Sequence, residues 1–72
     1  MTIAAPAPAQ TPLAPREVQV LERLSHGLTS RQISRQLGIT PSTVETYVSR
    51  LREKLNAPTR AQLVRAAVAL GM

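Results

Sequence analysis

From residue 13 onward the apolar positions fall into four runs of helical period, each closed by a residue that interrupts a helix. In the first run Val20, Leu21 and Leu24 form one stripe, with Val18 beside it. Pro15 suits a first helical position and Glu17 suits the positive helix N-terminus. Gly27 fits a left-handed cap. These signals predict a helix over 15–26, with Leu28 packing back beneath its end. In the second run Thr29 and Gln32 have capping-box spacing. Ile33 and Leu37 share a face, and Ser34 is small enough on an adjacent face to let another helix approach. Arg31 and Arg35 point the other way, and Gly38 stops the helix after Leu37. The third run has Thr40 as N-cap and Pro41 at the first helical position. It extends to about Leu55, where Asn56 can cap it and Pro58 prevents continuation. The fourth begins at a second Thr-x-x-Gln, Thr59 to Gln62, and runs to Gly71. Leu63, Ala66, Ala67 and Leu70 line its core face, and Ala61, Val64 and Val68 line a second apolar stripe roughly opposite.

No stretch reads as a strand, so the expected fold class is all-α with four helices. A short helix, a turn containing Gly and a second helix make a helix-turn-helix pattern, although any antiparallel helix pair can share it. Residues 1–12 are rich in Ala and Pro and nearly uncharged. Alternating prolines favour extended, solvated chain, which predicts a disordered tail followed by one domain over 13–72.

The third helix separates sharply on a wheel at ~100° per residue. Val44, Val48, Leu51 and Leu55 cluster on one side with Tyr47 beside them, and core packing accounts for them fully. Ser42, Glu45, Thr46, Ser49 and Glu53 fall opposite, with Arg50 beside them. Short side chains let a helix backbone come close to whatever it meets. In a DNA major groove Ser and Thr can bond base edges or phosphates, and a carboxylate can accept from a cytosine amino group while its charge repels phosphate. The competing reading is an ordinary solvated face.

Charge favours the first of these. The 72 residues carry nine Lys/Arg against four Asp/Glu, a net +5. Eight of the nine cations are Arg, whose planar fork suits phosphate and guanine edges. A small basic domain points to an anionic partner, nucleic acid before a membrane surface. There is no cysteine and a single histidine. That excludes disulfides, Cys-type zinc sites and thiol chemistry, and it fits a reducing cytoplasm. No nucleophile–base pair, metal cluster or phosphate-cradling Gly loop is present, so neither an enzyme nor a cofactor is expected. The N-terminus lacks a basic start and Pro6 and Pro8 break its apolar run, unlike a signal peptide.

Four motifs occur in order: L-A-P-R-E-x-x-V-L at 13–21, H-G-L-T-S-R-Q-I-S-R-Q-L-G-I at 26–39, P-S-T-V-E-T at 41–46 and K-L-N at 54–56. With these the chain resembles the LuxR/GerE-type helix-turn-helix DNA-binding domain from Leu13 to its end, and its length is similar to that of stand-alone members. The resemblance implies a third helix in the major groove and a fourth that mediates dimerisation. It implies base reading by Glu45, Thr46 and Ser49, and backbone contacts by Thr43 and Lys54. The chain departs from the common pattern at Tyr47, Ser34 and Glu45, where His, Ala and Lys are frequent. The first two imply altered packing with the fold kept, and the third leaves the target sequence open.

The expected function is therefore sequence-specific binding of double-stranded DNA by a bacterial transcription regulator, in the cytoplasm at the nucleoid. Arg31, Arg35, Ser42, Thr43, Arg50, Arg52 and Lys54 would contact the DNA backbone, making affinity steeply salt-dependent. Ala61, Val64 and Val68 need a cover, which a two-fold partner supplies; a homodimer would present recognition helices ~34 Å apart. RNA polymerase and a separate regulatory protein are further candidate partners. No sensor or phosphoacceptor domain fits this length, so control is expected from expression level, a partner or another protein. Rival readings are a promoter reader like sigma region 4, an interaction module that sequesters another regulator through the last helix, and a basic amphipathic membrane binder. The capped, punctuated helices disfavour the last.

Overall fold

The computed structural model describes residues 12–72. Four helices follow in order: α1 Pro15–Ser25, α2 Ser30–Leu37, α3 Pro41–Lys54 and α4 Arg60–Ala69. Among the described residues there is no strand. The expected tail, 1–12, lies outside the described residues except for Pro12.

The helix starts follow the capping chemistry. Thr29 Oγ1 accepts from Gln32 N–H at 3.1 Å, and Gln32 Oε1 accepts from Thr29 N–H at 2.8 Å. Thr59 and Gln62 repeat the arrangement at 3.2 and 3.3 Å. Each reciprocal pair satisfies two of the backbone donors that a helix start leaves open. At α3, Thr40 Oγ1 accepts from Thr43 N–H at 3.1 Å and lies 2.9 Å from Thr43 Oγ1. Replacing Thr40 by Ala removes that cap. It should cost about 1 kcal/mol of stability, read as a lower urea midpoint; an unchanged midpoint would show that Pro41 alone sets the start of α3.

Packing buries one stripe of each helix. Val20, Leu21 and Leu24 from α1, Ile33 from α2, Val44, Val48 and Leu51 from α3, and Leu63 and Ala67 from α4 form a single core with Ala57. Helix α1 lies against both α3 and α4, while α2 packs chiefly on α3. The core therefore grips α3 along one side only and leaves its other side to solvent. Tyr47 and Leu55 pack at the edge of this core as half-buried residues. Ser34 is buried, as its size allowed, and its hydroxyl donates to the Arg31 carbonyl at 2.7 Å.

The C-terminus differs from the expectation in one respect. Leu70, placed by periodicity on the core face, is 55% exposed. Helix α4 ends at Ala69, and Leu70 is its cap with φ −88° and ψ 3°. Gly71 then adopts φ +85°, a left-handed conformation open to glycine at little cost. Met72 N–H reaches back to the Ala67 carbonyl at 3.0 Å, and Gly71 N–H to that of Val68 at 3.0 Å. This is the Schellman closure, which brings the residue after the glycine onto the helix face. Met72 packs against the core where Leu70 was expected. The same reversal closes α1, where Leu28 packs back beneath its end as predicted.

Candidate nucleic-acid interface

The turn between α2 and α3 fixes how α3 is presented. Gly38 closes α2 at φ 68° and ψ 32°. Ile39 N–H bonds the Ser34 carbonyl at 3.0 Å, and the Ile39 side chain packs on the core. Thr40 then returns to extended backbone, φ −79° and ψ 155°, and α3 begins. Three residues thus reverse the chain, and their geometry is held by backbone bonds from Gly38 and Ile39 to the Ser34 carbonyl and by the half-buried Ile39 side chain.

With Val44, Val48 and Leu51 committed to the core, the opposite side of α3 exposes Ser42, Glu45, Thr46, Ser49, Arg50, Arg52 and Glu53. The hydroxyls of Ser42 and Ser49 make no hydrogen bond among the described residues, while Thr46 Oγ1 donates to the Ser42 carbonyl at 3.2 Å. Thr43 is half-buried beside the cap. The expected base-reading residues Glu45, Thr46 and Ser49 therefore do share one exposed face. Glu45 is not free on it, because its Oε2 accepts from the Ser30 hydroxyl at the start of α2.

The arginines divide into two groups. Arg16 and Arg23 bond carbonyls and glutamines, and Arg60 bonds the Leu28 carbonyl at 3.4 Å. Arg31, Arg35, Arg50 and Arg52 are exposed and make no side-chain hydrogen bond or ion pair among the described residues. Arg50 stacks over Tyr47, with its guanidinium carbon 5.8 Å from the ring centroid. Such stacking orients the planar fork while leaving its N–H groups unused. The four arginines expected to meet phosphates are thus those left with unspent donors, together with Arg65 on α4.

Lys54 is placed differently. Its ammonium donates to Glu17 Oε1 at 2.7 Å and to the Pro12 carbonyl at 3.4 Å. Glu17 is 1% exposed and also accepts from Ala14 N–H at 2.8 Å. Burial by itself pushes the Glu17 carboxyl upward. The Lys54 and Ala14 hydrogen bonds, with the charges of Lys54 and Arg50, outweigh burial and hold it below its ordinary value. This is the single ion pair among the described residues, and it ties the first turn of α1 to the last turn of α3. The charge matched to a backbone contact is therefore already engaged within the fold.

On α4 the second apolar stripe is partly open. Val68 is 64% exposed and Ala61 is exposed, while Val64 is half-buried. Leu70 adds to the same exposed end of the helix. Sequence reasoning did not find Ser30 or the Lys54–Glu17 pair. Neither leaves a local signal, since the partners lie 15 and 37 residues apart. No helix among the described residues is long and apolar enough to cross a membrane.

The family described as bacterial regulatory proteins, luxR family, matches residues 11–67. The transcriptional regulatory protein FixJ of Bradyrhizobium diazoefficiens is 42% identical over 60 residues, covering 83% of this chain and 29% of that protein. The response regulator Rre1 of Synechocystis is 40% identical over 67 residues, covering 93% of this chain and 29% of its own. The transcriptional regulatory protein UhpA of Escherichia coli is 39% identical over 56 residues, covering 78% and 29%. The chain thus spans less than a third of the length of these relatives. No solved structure matches it.

Proposed function

Because the chain belongs to the luxR family of bacterial regulatory proteins, we propose that it binds duplex DNA sequence-specifically and regulates transcription in the bacterial cytoplasm, as a homodimer. The observation that carries this reading is the pairing of a short-side-chain face on α3 with four arginines whose donors are unspent. A major groove about 12 Å wide admits a helix about 10–12 Å across, and short side chains make the fit closest. Glu45, Thr46 and Ser49 then reach base edges, while Arg31, Arg35, Arg50 and Arg52 neutralise phosphates on either side. Ser42 and Thr43, at the start of α3, meet the backbone where the helix dipole also favours a phosphate. Lys54 acts from within, by holding the end of α3 against α1. Dimerisation through Ala61, Val64 and Val68 sets two copies of α3 against successive groove turns. Relatives named as transcriptional regulators support the same reading.

The test is a gel-shift series over genomic fragments at increasing salt. A preferred fragment should emerge, bound without RNA polymerase, with log affinity falling linearly in log salt. Replacing both Arg50 and Arg52 by Ala should lower that slope by about 2, close to one for each phosphate no longer neutralised. Base preference should persist in the double variant, because phosphate contacts position and do not specify. If no fragment is preferred at any salt, the reading fails in favour of a module that sequesters another regulator. Preferred binding only with polymerase present would indicate a promoter reader of the sigma type.

A further inference from the structure

The hydrogen bond between Ser30 and Glu45 joins the first residue of α2 to the exposed face of α3, across the helix-turn-helix. Both residues line a small notch with Val48, Arg52 and Arg60. A glutamate on an isolated helix face samples several rotamers and has no fixed direction. Here Oε2 is held by the Ser30 hydroxyl, and Oε1 has no hydrogen-bond partner among the described residues. Arg52 and Arg60 border the same notch, so cations on the protein's own surface offset the carboxylate's repulsion of phosphates.

The direction of this carboxylate decides what it does to DNA. Turned toward the strands, it repels every sequence equally. Aimed at the groove floor, it accepts from the exocyclic amino group of cytosine and discriminates against bases that present an acceptor there. We propose that Ser30 is a positioning residue for specificity: its hydroxyl holds the Glu45 carboxylate so that Oε1 meets a cytosine amino group. Ser30 itself touches no base. The proposal rests on the reading of Glu45 as a base contact, and the experiment separates the two.

Duplexes are selected from a randomised pool by the 72-residue chain and by Ser30→Ala, Ser30→Thr, Glu45→Ala and the double Ala variant, with the bound pools sequenced. The parent should prefer cytosine at one position of each half-site, and Glu45→Ala should abolish that preference. Ser30→Ala should weaken the preference at that position about threefold to tenfold, as a coupled neighbour does, and leave the other positions unchanged. Ser30→Thr keeps the hydroxyl and should restore the preference. The double variant should match Glu45→Ala, because Ser30 acts only through the carboxylate. If Glu45→Ala flattens one position while Ser30→Ala reproduces the parent profile, Ser30 does not aim the carboxylate and the proposal falls, with the base reading intact. A uniform loss across all sequences for Ser30→Ala overturns it too, since that marks a structural role or a phosphate contact. If Glu45→Ala leaves every position unchanged, the base reading itself is wrong and the proposal falls with it.

Discussion

Replacing Lys54 by Met should destabilise the domain by about 3 kcal/mol at neutral pH. That is the low end for breaking a buried ion pair, because Lys54 keeps 26% of its side chain exposed whereas Glu17 keeps 2%. A domain of this size has only about 4–10 kcal/mol in total, so the loss should be plain in urea denaturation followed by far-UV circular dichroism. The substitution preserves most of the aliphatic stem and removes the charge, so packing changes little while Glu17 is left buried with only the Ala14 N–H and the more distant Arg50 charge to support it. The pH dependence carries the diagnosis. In the parent, the Glu17 carboxyl is held below its ordinary value. Its stabilising contribution is therefore complete above the unfolded carboxylate value and is lost as pH falls through the lower folded value. In the variant, burial is opposed by less, so the folded value should rise above the unfolded one. Acid should then recover stability as the carboxyl takes up a proton. Both trends narrow the gap between the two proteins from about pH 7 to about pH 3. Parallel curves across that range would mean that the pair contributes packing without charge.

Replacing Val68 by Asp should lower affinity for a duplex carrying two half-sites by about 100-fold, and hardly alter affinity for a single half-site. Val68 is 64% exposed, so the new charge is hydrated in the isolated chain and α4 should keep its helicity. In the proposed dimer the same position lies between two copies of α4. Two carboxylates would there be buried close together, which is unfavourable enough to separate the copies. What disappears is the advantage of having the second recognition helix delivered by the first. Sedimentation with and without the two-site duplex gives the stoichiometry directly. Unchanged stoichiometry together with unchanged two-site affinity would remove α4 from the interface.

The four helices and their order are legible in the residues because the signals are local. Thr29 with Gln32, and Thr59 with Gln62, announce helix starts within one turn, and both reciprocal pairs form. Gly38 announces the turn, and Thr40 and Pro41 the start of the helix after it. The solvent face of α3 follows from the same periodicity, since Val44, Val48 and Leu51 leave only one side free. What periodicity misses is non-local or lies past a helix end. A wheel assigns Leu70 to the core because it assumes helical dihedrals for every residue; Gly71 ends that assumption and hands the position to Met72. Lys54 is expected at the DNA backbone with no sign of its ion pair, because the basic end of a helix looks the same whether or not a carboxylate arrives from 37 residues away. Nothing local to Glu45 announces its tether to Ser30 either, which emerges only once α2 is laid across α3. The exposed face of α3 is thus visible in the chain, and the constraints on individual side chains are not.

The placement of Lys54 also separates two kinds of chemical control. It is the only lysine in the sequence, and its amine is bound to a buried carboxylate. Acylation of that amine would remove the charge that Glu17 needs and so would loosen the domain. Among the described residues the exposed side-chain cations left without a hydrogen bond or ion pair are guanidinium groups, which neither acylation nor any ordinary change of acidity neutralises. Lysine modification would therefore act chiefly through how much folded protein survives, while the exposed arginines of each surviving molecule keep their charge.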